Sequence, residues 1–163
     1  MGGMSAFTLF HVALSLLGIL SGLIVLFGLL TAKRLDGWTA VFLITTVLTS
    51  VTGFLFPFHK LLPSHILGIL SLVLLSVAIY ARYSKKLVGG WSRVYAATSV
   101  LALYLNVFVL IAQLFMKVPA LHALAPTGTE GPFKITQLTF LVLFLLFTVL
   151  AAKKFHFREL RTA

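Results

Sequence analysis

A chain of 163 residues that is 60% hydrophobic and 10% charged is too apolar for one soluble domain to bury, and its length suits a single compact helical bundle. Its formal charge of +10 would point to nucleic acid in a soluble protein, but the basic residues lie between hydrophobic stretches, so nucleic-acid binding is not expected. The absence of cysteine excludes disulfides, thiolate metal sites, iron–sulfur clusters, thioether-linked haem and cysteine nucleophiles.

Roughly 20 mainly apolar residues are needed to cross a bilayer core of about 30 Å, and five stretches qualify. The first, 7–30, follows an uncharged N-terminal segment with no basic n-region, so it is expected to stay as a helix and not to be removed as a signal peptide. His11, Ser15, Gly18 and Gly22 recur along it at helical spacing, and the last two form a GxxxG step. After the break at Lys33, Arg34, Asp36 and Gly37 comes 38–58, where Thr46, Thr49, Ser50 and Gly53 share a side flanked by Thr45 and Thr52. Prolines and polar residues over 57–63 separate it from 65–83, in which His65 stands over Leu72 and Ser76 with Gly68 beside them. The fourth stretch, 94–116, carries a stripe of Tyr95, Ser99, Ala102, Asn106 and Gln113, with Asn106 near the midplane. A Pro- and Gly-containing loop over 117–134 leads to the fifth, 133–152, which offers Gln137 and little else that is polar.

Charge placement gives this series a direction. Of the thirteen Lys and Arg residues, Lys33, Arg34, Arg82, Lys85, Lys86, Arg93, Lys153, Lys154, Arg158 and Arg161 fall on one side, against Lys60, Lys117 and Lys134 on the other. Basic residues gather in the cytoplasm, so the expectation is an all-α integral membrane bundle of five transmembrane helices, with the N-terminus outside and the C-terminus cytoplasmic. Trp38, Trp91, Tyr83 and Tyr95 then sit near the inner boundary, as an aromatic belt does. Short loops make successive helices antiparallel neighbours in one domain spanning 1–163.

In this frame the polar groups crowd toward the outer surface. His11, Gln113 and Gln137 lie within about two turns of the outer ends of their helices, and His65 opens the third there. Ser50 and Thr52 lie just below, and His59, Lys60, His122 and Glu130 can cover the slab from loops. The candidate ligand-binding set is therefore His11, His65, Asn106, Gln113, Gln137, Ser50 and Thr52. Neutral imidazoles on separate helices suit b-type haem or a quinone, and they equally suit plain hydrogen bonding between helices. A zinc or copper site would need His11, His59, His65 and His122 to converge, which requires the loops to fold inward. No Asp or Glu lies inside a stretch, which argues against a carboxylate proton relay. Asp36 and Glu159 fall on the side opposite Glu130, so no acid pair can meet, and no nucleotide loop or HExxH motif is present.

Several strings go beyond hydropathy: residues 35–40 (LDGWTA), 49–54 (TSVTGF), 62–65 (LPSH), 102–108 (ALYLNVF) and 117–121 (KVPAL), together with His11 ahead of Gly18 and Gly22. They resemble a family of small, uncharacterised bacterial multi-pass membrane proteins over almost the whole chain. The resemblance implies a bacterial cytoplasmic membrane and carries no activity. More loosely, the histidine-led helices are similar in style to membrane b-type cytochromes. The expected function is a non-catalytic accessory or assembly component, partnered by the lipid bilayer and other membrane proteins, with an outer-leaflet polar pocket for a hydrophobic small molecule. The alternative is a redox protein holding b-haem or a quinone through His11 and His65.

Overall fold

A computed structural model describes residues 5–56 and 63–162, with side chains over 5–56 and 65–156. Its helices are α1 (Ala6–Leu30), α2 (Asp36–Gly53), α3 (Pro63–Ile79), α4 (Trp91–Lys117), α5 (Pro119–Leu124) and α6 (Gly131–Thr162), with a π-helical turn, Tyr80–Ser84, extending α3. Local chemistry sets the boundaries. Ser5 caps α1 by accepting from the Thr8 amide at 3.1 Å, and the chain leaves α1 through Ala32 at a φ of 58°. Leu35, at a φ of 44°, turns it into α2, whose first residue, Asp36, places negative charge at the helix N-terminus. Extended Val118 and then Pro119 end α4 and start α5, a short helix inside the loop expected after the fourth stretch.

Among the described residues, four helical segments are long and apolar enough to cross a membrane: Ala6–Leu30, His65–Ser84, Trp91–Lys117 and Gly131–His156. The 18-residue α2 is the exception, and its faces explain why. Thr39, Thr45, Thr46, Thr49 and Thr52 are all buried, while Val41, Ile44, Leu48 and Val51 are exposed. A helix at the surface of a water-soluble protein has these faces the other way round. The buried hydroxyls are inexpensive because most bond back within the helix: Thr45 to the Val41 carbonyl, Thr49 to that of Thr45 and Thr52 to that of Leu48, each at 2.7 Å.

Neighbours pair antiparallel. Along α1 and α2, His11 meets Thr52, Gly22 meets Phe42 and Gly28 meets Leu35. Along α2 and α3, Gly68 meets Phe54, Ser71 meets Ser50 and Arg82 meets Asp36. α4 closes the ring against α1 and α3, and α6 packs outside it on α4 and α1. The GxxxG step lets the ring close. A Cβ on Gly22 would lie 2.6 Å from Leu103 Cδ1 and 2.9 Å from the Phe42 ring, so α1 touches α2 and α4 at one level only because the side chain is missing.

Two expectations about faces change. The inward side of α3 carries Ser71, Leu75 and Ala78, with Arg82 beyond them, whereas Ser76 is exposed and bonds back to the Leu72 carbonyl at 2.7 Å. Arg82, expected among the surface charges, is buried at the basic end of the bundle together with Tyr95, which belongs to the inward stripe of the fourth stretch. The Arg82 side chain is 2% exposed, pairs with the Asp36 carboxylate, and sets its guanidinium carbon 5.1 Å from the centroid of the Tyr95 ring. Tyr95 in turn packs on Phe155 at 5.6 Å, and Asp36 also takes the Arg34 Nε at 3.5 Å. Ser92 and His156 Nδ1, 2.6 Å apart, fasten α6 to the start of α4 at the same end.

Candidate functional site

At the opposite end the four ring helices line a half-open cavity of about 120 Å³. His11 and Ser15 reach it from α1, Thr49, Ser50 and Gly53 from α2, with Phe54 just beyond, and Asn106 from α4 beside Leu105 and Val109. α3 contributes His65, Leu67, Gly68 and Ser71. Four of the seven predicted residues, His11, His65, Ser50 and Asn106, thus share one cavity, and Thr52 stands behind His11. Gln113 and Gln137 do not line it. Gln137 is buried on α6 and donates to the Phe108 carbonyl at 3.2 Å, so it joins α6 to α4 outside the ring.

Space at this level comes from small residues. A Cβ on Gly68 would meet the Phe54 ring at 2.9 Å, so the absent side chain seats Phe54, whose ring lies 5.6 Å from that of buried His65. Gly53 allows α2 to pass His11, whose Cε1 would be 3.7 Å from a Cβ there. His11 also meets Phe56 edge-on at 5.1 Å.

The hydrogen bonds around the cavity are incompletely spent. Ser50 donates to the Thr46 carbonyl at 3.0 Å or to Ser71 Oγ at 3.1 Å, so α2 and α3 are linked through two hydroxyls. Ser15 donates to Asn106 Oδ1 at a long 3.4 Å. Asn106 Nδ2 and Thr46 Oγ1 find no partner among the described residues, and both lie against Gly18, at 3.2 and 3.0 Å from where its Cβ would be. Leaving such groups unpaired in an apolar bundle costs free energy, which marks this level as one where polarity is not explained by packing alone.

Comparison with protein-family models, with curated proteins and with solved structures finds no match. The site is therefore read from its own geometry.

Metal coordination is not supported by the side chains brought together. Among the described residues no three of His, Cys, Asp or Glu gather to hold an ion. His122 is exposed on α5, and His59 and Lys60 lie outside the described residues. Glu130, expected as a possible cover for the site, ties its carboxylate into the turn just ahead of α6. It accepts from the Thr127 hydroxyl at 2.7 Å and from the Thr129 amide at 3.0 Å. The Thr127 hydroxyl foremost, with those backbone amides, holds its carboxyl below the usual carboxylate range.

Ser71 and Phe54 are site residues that the sequence reading missed. Gly68, Ser71, Leu75, Ala78 and Arg82 follow helical spacing along α3, and the small residues at its start were the available signal. For Phe54 the only signal was adjacency to Gly53 at the end of a polar helix face.

Proposed function

We propose that this chain is a five-span integral membrane protein of the bacterial cytoplasmic membrane, N-terminus outside, acting as a non-catalytic accessory or assembly component whose outer-half pocket takes a small hydrophobic molecule. The observation that carries the pocket reading is the cavity bounded by the polar side chains of His11, Ser50, His65 and Asn106, with Phe54, Leu67, Leu105 and Val109 completing its lining. Support for counting α2 as the fifth span comes from its position between α1 and α3 and from its outward row of Val41, Ile44, Leu48 and Val51. Its 18 residues rise about 27 Å, close to the hydrocarbon thickness. The ten-to-three division of basic residues supports the orientation.

The cavity's size supports the pocket reading over the haem alternative: pockets for drug-sized ligands run to roughly 300–1,000 Å³, and the space between His11 and His65 is about 120 Å³.

Mass spectrometry of the protein released from mild detergent tests the pocket. A small molecule at near one-to-one stoichiometry is expected in the wild type and is lost in Ser71→Leu, which fills the cavity. An empty wild type from its native membrane would overturn the reading, and so would a Soret band abolished by His11→Ala, because it would mean haem. For topology, a single cysteine at exposed Val88 is expected to label only from the cytoplasmic side, and labelling from outside would reverse the orientation.

A further inference from the structure

Resting on the pocket reading above, we infer that the cavity is the head site of a neutral single-chain lipid, whose hydrocarbon tail crosses the seam between α3 and α4 at Leu105 and lies in an apolar groove on the bilayer side. That groove, of about 220 Å³, is lined by α3, α4 and α6. Leu70 and Leu74 come from α3, Leu141 and Leu145 from α6, and the rings of Tyr104 and buried Phe144 lie 5.7 Å apart within the lining. Leu105 lines both spaces, so the polar cavity and the apolar groove share a wall.

Helical spacing joins the two spaces as well. On α3, Leu67 lines the cavity and Leu70 and Leu74 line the groove, at steps of three and four that keep all of them on one side. On α4, Val109 lines the cavity, Leu105 lines both and Leu101 lines the groove, again at steps of four. Since α3 and α4 pack as antiparallel neighbours, the two rows run side by side from the cavity into the groove. The track covers seven residues of α3, about 10 Å, and descends from the histidine end toward the middle of the bundle. A lipid in a bilayer is laid out the same way, with its head at the surface and its tail toward the midplane.

Size and charge narrow the class. At about 120 Å³ the cavity takes a small head and leaves the chain to run elsewhere. Among the described residues neither space is lined by Lys, Arg, Asp or Glu, so a charged head would lose its water without gaining a counter-charge. An uncharged polar head meets His11, Ser15, Ser50 and Ser71 in the cavity instead. The groove is lined by Leu and Phe apart from Tyr104, and Leu70 and Leu145, at 45% and 49% exposed, leave it open to hydrocarbon, so the chain enters sideways from the bilayer.

The test uses two isomeric photoreactive decanols on the full chain in one detergent, one with a diazirine beside the hydroxyl-bearing carbon and one with it at the far end of the chain. Labelled positions are mapped by mass spectrometry, with Ser71→Leu as the background; if that variant does not fold, excess unlabelled decanol supplies the background. The first probe is expected to label cavity residues such as Ser50 and Ser71, and the second to label Leu70, Leu74 and Leu101. Each signal is expected to stand at least about tenfold above background. Far-end labelling spread evenly over the outward leucines of α6, such as Leu138 and Leu146, with cavity labelling by the first probe retained, would overturn the groove inference and leave the pocket intact. Groove labelling that persists undiminished in folded Ser71→Leu would also overturn it, because the tail would then bind without its head. Labelling by neither probe above background would overturn both readings.

Discussion

The two ends of this bundle pack their polar residues differently. At the basic end, Arg82, Asp36, Tyr95, Ser92 and His156 are pressed together, and the buried guanidinium has both a carboxylate and an aromatic face against it, although its Nη1 makes no hydrogen bond among the described residues. At the histidine end, His11, Asn106, Ser50 and Ser71 surround open space, and at least one donor is left without a partner. Each end thus keeps a buried donor without a hydrogen-bond partner, and what separates them is packing: side chains close on one another at the basic end and line a cavity at the histidine end.

Mutations at the basic end should have the largest effect on stability, and they should be asymmetric. Asp36→Ala strands a guanidinium whose side chain is 2% exposed, and a loss of about 3 kcal/mol is expected. Arg82→Met leaves behind only a carboxylate whose side chain is 73% exposed, so its cost should be smaller, about 1 kcal/mol. Thermal unfolding of both variants in the same detergent checks the order; equal losses would mean that the ion pair itself contributes little. Gly22→Ala comes next, at about 1–3 kcal/mol, because the added methyl collides with Leu103 and Phe42 between the two ends.

Asn106→Leu should sharpen the contrast by changing stability least among the buried substitutions, within about 1 kcal/mol, since it removes a donor that has no partner. A large destabilisation would show that Asn106 is a fastener after all. The smallest effect belongs to Glu130. Its folded-state carboxyl titrates below its unfolded value, so its contribution to the turn over Thr127–Thr129 is present above the unfolded value and is lost as pH falls through the folded one. Amide exchange at Thr127 and Thr129 should quicken across that acidic window in the wild type and show no such step in Glu130→Gln.

Legibility in the sequence differed along the chain for physical reasons. The inward face of α1 was readable because His11, Ser15, Gly18 and Gly22 contrast with leucine around them, and in lipid that contrast points inward. α2 was readable for the same reason. α3 was not, because Ser76 satisfies its hydroxyl on the Leu72 carbonyl and can face outward at little cost, while inward-facing Ser71 carries the same side chain. Depth was legible for Gln137 but direction around the helix axis was not, and it turned out to serve the contact between α4 and α6. The burial of Arg82 left no sign in hydropathy, since a loop lysine and a buried arginine add the same charge to the count. Arg82 lies on the π-helical turn that extends α3, with Asp36 on the facing helix to pair with it.

The reversed faces of α2 also bear on how such a chain is made. Alone in a bilayer, this helix would expose five threonines and, at one end, Asp36 to hydrocarbon or headgroups, and its internal bonds offset only part of that cost. Its favourable surroundings are the glycine-bearing side of α1 and the serine side of α3. Biogenesis should then couple α2 to α1 as a hairpin that enters the membrane together, so that a chain lacking its first helix loses its second as well.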